Sequence, residues 1–368
     1  MEDAHTHILS LAPEDPSASF FAVYDGHGGA KVAAYAGDHL HKTILSQEEY
    51  AAGKIEEAIR KGFLQIDQDM LSDADMREEL AGTTAIAILV KDQRIYVGNV
   101  GDSRAVASFS GHSDPLSIDH KPSSEGEAKR INAAGGWVEF NRVNGNLALS
   151  RALGDFVFKR NEKKSARDQI VTAFPDVQCR DVTDDLEFIV IACDGIWDVL
   201  SNEEVVEFVR KRIAAKMEPS IICEELMTRC LAPGCQMGGL GCDNMTVILI
   251  CFINGKSYEE LAAKCSLPAR SKNQTSSPAD EAENEEETTG IADSPDSTVS
   301  TSSSSSTSSG SSSSTTASSA ETPEPTHHPD LPIASSSPSP APAVVPAVFH
   351  ETVSERDLDE GPLTQRVS

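Results

Sequence analysis

Three runs of β-branched and aromatic residues, Thr84–Lys91, Arg94–Val100 and Ala105–Ser110, follow one another with only short turns such as Lys91-Asp92-Gln93 between them. A parallel crossover needs a dozen or more residues, so strands this closely spaced must return antiparallel. Similar runs stand at Phe20–Tyr24, Trp137–Phe140, Phe188–Cys193 and Met245–Phe252, most bounded by Gly, Asp or Asn. Helical periodicity is kept to separate segments. Ile55, Ile59, Phe63, Ile66 and Met70 form one apolar stripe, and Val205, Val209 and Ile213 form another, opened by Ser201 with Glu204 at capping-box spacing. Gly28–Leu45 and Ile221–Leu231 also read as amphipathic helices. Grouped strands with separate helices predict an α+β fold, antiparallel sheets with helices packed outside.

After Cys265 the periodicity stops. Between Ser294 and Ser319, 16 of 26 residues are serine, Asp280–Glu287 is acidic and Pro323–Pro346 is rich in proline. Such composition cannot offset chain entropy, so 1–265 is expected to be the folded domain and 266–368 a disordered tail. The serine run reads either as a neutral expansion or as a phosphorylated regulatory segment. Residues 268–368 hold 4 Lys or Arg against 16 Asp or Glu, which places about twelve of the 27 net negative charges there.

An acidic chain without a basic block lacks the footprint for nucleic acid or an anionic membrane. The longest apolar run, Met245–Ile253, is too short to span a bilayer, and the opening Met-Glu-Asp shows no signal sequence or myristoylation glycine. These features predict a soluble protein of the cytoplasm or nucleus, monomeric, with no nucleic-acid or membrane partner. The eight cysteines contain no C-x-x-C and are expected to be small buried thiols; Cys230, Cys235 and Cys242 match no common zinc spacing.

Three aspartates sit at strand ends: Asp25 after Phe20–Tyr24, Asp194 after Phe188–Cys193, and Asp243 before Met245–Phe252. Singly, each is an ordinary turn residue. Together with Glu2-Asp3, they would bring to one sheet edge carboxylates that repel unless a cation neutralises them. Oxygen-only ligands suit Mg²⁺ or Mn²⁺. In Asp25-Gly26-His27-Gly28-Gly29 the glycines let the Gly26 carbonyl approach as a further ligand, and leave His27 suited to proton transfer.

Eight segments, in order, resemble the motif set of the metal-dependent type 2C serine/threonine protein phosphatases. They are Met1–His5, Tyr24–Gly29, Ala81–Ala85, Asn99–Ala105, Asp119–Pro122, Leu147–Asp155, Ala192–Asp198 and Asp243–Thr246. The resemblance implies two antiparallel β-sheets packed as a sandwich flanked by helices on both sides, with two metals in a cleft at one end. It implies that Asp25 bridges both ions, that the Gly26 carbonyl, Asp194 and Asp243 complete them, and that Glu2 and Asp3 act directly or through water. Asp102 matches the position of a weaker third ion, and His27 that of the general acid. The implied reaction is hydrolysis of phosphoserine and phosphothreonine in phosphoprotein substrates, by a hydroxide bridging two divalent metals. A metal-dependent phosphodiesterase or nuclease would need a positive groove that this acidic chain does not offer. The resemblance also implies a strand and a phosphate-binding arginine before Met1. Their absence leaves as alternative an N-terminally truncated, catalytically impaired binding or scaffold protein.

Overall fold

The computed structural model describes residues 1–231 and 241–269, and the backbone of 344–349. The chain divides into one unit of Met1–Lys272 with Ser339–Ser368 and another of Asn273–Pro338; every described residue belongs to the first.

Two five-stranded antiparallel sheets form its centre. The first has the order β1 (Ala4–Ile8), β2 (Ser19–Tyr24), β5 (Ala85–Lys91), β6 (Arg94–Val100), β12 (Asp176–Asp181). The second runs β15 (Val344–Phe349), β14 (Val247–Phe252), β13 (Leu186–Ala192), β7 (Arg104–Phe109), β8 (His112–Pro115). A small sheet joins β11 (Leu153–Gly154), β4 (Gly82–Thr83) and β3 (Gly26–His27), and β9 (Val138–Glu139) pairs with β10 (Arg142–Val143) as a hairpin.

Alternation along the strands builds three apolar layers. Phe21 and Val23 of β2, Ile86 and Ile88 of β5, Ile189 and Ile191 of β13, and Ile248 and Ile250 of β14 meet between the sheets. On the outer face of the first sheet, Phe20, Ala22 and Tyr24 pack against α1 (Lys31–Leu45) and α3 (Ile55–Ser72), with the single turn α2 (Glu48–Ala51) between them in sequence. Val247, Leu249 and Cys251 face α5 (Asp194–Trp197), α6 (Asn202–Ala214), α7 (Pro219–Cys230) and α8 (Tyr258–Cys265) on the other side. α4 (Glu125–Ala133) lies over a smaller cluster with the hairpin. The sandwich with helices on both sides is therefore as expected.

Particular elements refine that reading. The Ser201/Glu204 capping box forms, with the Ser201 N–H donating to Glu204 Oε2 at 2.9 Å. The first helix starts at Lys31 rather than Gly28, because Gly28 and Gly29 have φ of 72° and 142°. The Trp137–Phe140 run shortens to two paired residues, with Phe140 and Asn141 at φ of 49° and 58° making a tight reversal. Cys193, Cys223, Cys230, Cys251 and Cys265 are buried thiols and Cys179 a half-buried one, whereas Cys242 is disulfide-bonded, a correction to its expected free state. Cys235, and most of the expected tail, lie outside the described residues. Val344–Phe349, placed by sequence inside that tail, pairs instead as a strand with β14. Among the described residues no helix is long and apolar enough to cross a membrane.

Candidate active site

β2, β6 and β13 end, and β5, β7 and β14 begin, at the same end of the sandwich, as their antiparallel registers require. Asp25 follows β2, Asp102 lies between β6 and β7, Asp194 follows β13, and Asp243 precedes β14. Ala4 pairs with Tyr24, which brings Glu2 and Asp3 to the same place. The turn after β2 is pinned by the Thr84 N–H donating to the Asp25 carbonyl at 2.9 Å and the Asp25 N–H donating to Thr84 Oγ1 at 3.2 Å. Glycine is required at 26, where a Cβ would stand 2.1 Å from the Glu2 carbonyl oxygen.

Glu2, Asp25, Gly26, His27, Asp102, Asp194 and Asp243 all line one cleft of about 650 Å³. Asp3 stands behind it, accepting a hydrogen bond from Thr246 Oγ1 at 2.6 Å with one oxygen, while its buried Oδ1 has no partner. Every site residue expected from sequence is thus brought to one place. Their side chains do not form a closed cage: among the described residues, no three His, Cys, Asp or Glu are placed so as to hold a metal ion.

The electrostatics are those of a crowded anionic site. Burial pushes the Asp25 carboxyl well above the usual range, and Asp3, Asp194, Asp102 and Asp243 push it further. Asp194 is raised to about 7 by burial, then by Asp102, Asp243 and Asp198. Asp3 is raised to about 6, chiefly by burial, against the Thr246 hydrogen bond. Asp102 is also raised by burial, although Lys121 Nζ donates to it at 2.6 Å. An orphaned buried oxygen, mutually repelling carboxylates and an exclusively oxygen donor set fit a hard divalent cation that keeps several of its waters.

Three contributors escaped the sequence reading. Asp155, 3% exposed, accepts from His27 Nε2 with its Oδ2 at 2.7 Å and so fixes the ring. A Cβ at position 82 would lie 2.3 Å from Asp155 Oδ2 and 2.6 Å from His27 Nε2, so Gly82 makes room for the pair. Arg142 of the hairpin brings a cation to the cleft lining, its Nη1 donating to the Asn146 carbonyl at 2.6 Å. Asp155 ends the Leu147–Asp155 motif, but only the folded chain shows that it faces a histidine 128 positions away.

The model of the family described as protein phosphatase 2C matches residues 1–239. A probable protein phosphatase 2C of Caenorhabditis elegans is 62% identical over 269 residues, covering 73% of this chain and 75% of the relative. Protein phosphatase 2C homolog 2 of Aspergillus fumigatus is 54% identical over 271 residues, covering 71% of this chain and 63% of the relative. Among solved structures, a C. elegans sex-determining protein superposes with a TM-score of 0.59 at 26% identity, covering 72% of this chain and 64% of the other. A phosphatase of Toxoplasma gondii gives 0.55 at 26% identity, covering 62% and 83%. The shared motifs, the sandwich and the matched family model together make this chain a member of the protein phosphatase 2C family.

Proposed function

We propose that the chain hydrolyses phosphoserine and phosphothreonine esters in proteins with Mg²⁺ or Mn²⁺ as cofactor. The observation that carries this is the convergence of Asp25, Asp102, Asp194 and Asp243 from both sheets onto one cleft also lined by His27 and Arg142. Asp25, the Gly26 carbonyl, Asp194 and Asp243 would hold two ions, with Glu2 and Asp3 in direct or water-bridged contact and Asp102 toward a weaker third. Bound there, the ions supply water acidic enough to attack phosphorus near neutral pH and neutralise the charge that builds on the phosphoryl oxygens.

The chain's own groups do the rest. Arg142 offers the phosphate a cationic partner at the mouth of the cleft. His27 delivers a proton to the serine or threonine oxygen as its bond to phosphorus breaks, so that an alcohol leaves instead of an alkoxide. Asp155 holds the imidazole in place while this happens. Water is consumed, and the products are the free hydroxyl side chain and inorganic phosphate. Phosphate release from a phosphothreonine peptide should need Mn²⁺ or Mg²⁺ and stop in EDTA. Release that persists in EDTA would refute the proposal.

A further inference from the structure

β14 is apolar along its whole length, Val247-Ile248-Leu249-Ile250-Cys251-Phe252, and each of these residues is at most 3% exposed. β13 pairs with one of its edges. The backbone N–H and C=O groups of its other edge need partners too, and an open edge beside so much buried apolar surface invites pairing with other chains. That edge is taken by Val344–Phe349, in register over six residues from Val247 opposite Phe349 to Phe252 opposite Val344.

The occupant is distinctive in sequence. Pro340–Phe349 is the longest stretch of 270–368 free of charged and hydroxyl side chains, in a region otherwise dominated by serine and acidic residues. Pro346, opposite Ile250, brings no N–H, so the strand offers one donor fewer than a full partner and suits only an outermost position. α7 packs across both β14 and β15 and so forms one wall of the slot. Residues 266–343 separate the strand from α8 in sequence.

We propose that the outer edge of β14 is a strand-docking site, that its resident is the chain's own Val344–Phe349, and that a peptide of the same sequence can take the edge once the resident is displaced by mutation. The mode is β-augmentation, in which main-chain hydrogen bonds to the strand edge supply the affinity. A strand of this kind closes the edge from a distant point in the sequence. It also caps the strand that begins four residues after Asp243.

Hydrogen exchange of the full chain, read by mass spectrometry over Val247–Phe252, tests this. Val348→Asp should accelerate exchange there about tenfold or more while leaving β13 and β5 protected, because only the outer ladder opens. A labelled synthetic peptide of residues 343–350 should bind the variant, restore slow exchange, and fail to bind the wild-type chain, whose edge is filled. Val345→Lys gives a second chain with the same expected result, and β13 protection reports in both whether the sandwich is intact. Equal β14 exchange in wild-type and variant chains, or a peptide that binds neither, would overturn the proposal. A wild-type dimer that Val348→Asp converts to a monomer would overturn this assignment in favour of a strand from a second copy.

Discussion

His27 Nε2 lies 2.7 Å from Asp155 Oδ2, at the centre of a three-stranded patch formed by β3, β4 and β11. If His27 protonates the leaving oxygen, its loss should matter most where that oxygen is a poor leaving group. His27→Ala should lower kcat on a phosphothreonine peptide about 100-fold and on p-nitrophenyl phosphate far less. Asp155→Asn should act in the same direction but more weakly, since the histidine remains and only its orientation suffers. Steady-state kinetics on both substrates checks this; equal losses on the two would argue against proton delivery.

Gly82 packs directly beneath that pair. Gly82→Ala would put a methyl group 2.3 Å from Asp155 Oδ2, and neither partner can withdraw without breaking the hydrogen bond. We expect a stability loss of about 1–3 kcal/mol from overpacking, together with most of the kcat loss of Asp155→Asn. Urea unfolding alongside kinetics measures both.

Asp194 should trade stability against metal binding. Its folded-state carboxyl is raised to about 7 from an ordinary value of 3.8, so its ionisation opposes folding in the metal-free chain. The folded state binds its proton more tightly than the unfolded state. Stability from this group is therefore full below about pH 4 and declines as pH climbs to about 7. At pH 8 in EDTA, Asp194→Asn should be more stable than wild type by about 1–3 kcal/mol. Calorimetric titration with Mn²⁺ should show affinity weakened at least about tenfold, by loss of a charged ligand.

Glu127 has the opposite sign. It is 7% exposed, accepts from Arg151 Nη2 at 2.8 Å, Arg130 Nη1 at 2.7 Å and Ser150 Oγ at 2.6 Å, and ties α4 to the segment before β11. Burial works against its charge, but Arg151, Arg130 and Ser150 prevail and hold its carboxyl down at about 2. The stability it contributes is full above about pH 4.5 and is lost as pH falls toward 2. Glu127→Gln leaves two nearly buried guanidinium groups short of a counter-charge and should destabilise by about 3 kcal/mol at pH 7. The difference should shrink steadily in urea melts taken toward pH 2.

Sequence found the centres of both sheets and missed their margins. β2, β5, β6, β7, β13 and β14 are apolar because both their faces are covered, and that is what a run of β-branched residues records. The four edge strands β1, β8, β12 and β15 went unread. Ala4-His5-Thr6-His7-Ile8 and Asp176-Val177-Gln178-Cys179-Arg180-Asp181 carry polar and charged residues, as edges do, and so look like loops. β15 reads as part of a proline-rich tail because the reason for its pairing, the bare flank of β14, lies far away in sequence. Asp25, Asp194 and Asp243 were legible because each marks a strand end, whereas Asp102 was reached only through the family resemblance. Asp155 was not legible, since nothing in its own neighbourhood names His27 as its partner.

The cleft draws Asp25 and Asp102 from the ends of the first sheet's strands and Asp194 and Asp243 from those of the second. It straddles the seam between the two sheets, so its dimensions depend on how those sheets pack. The gauge that sets them is the layer of Ile88, Ile191 and Ile250 deep between the sheets. A methylene removed from that layer would let the two sheets settle differently and shift the carboxylates of one slab against those of the other.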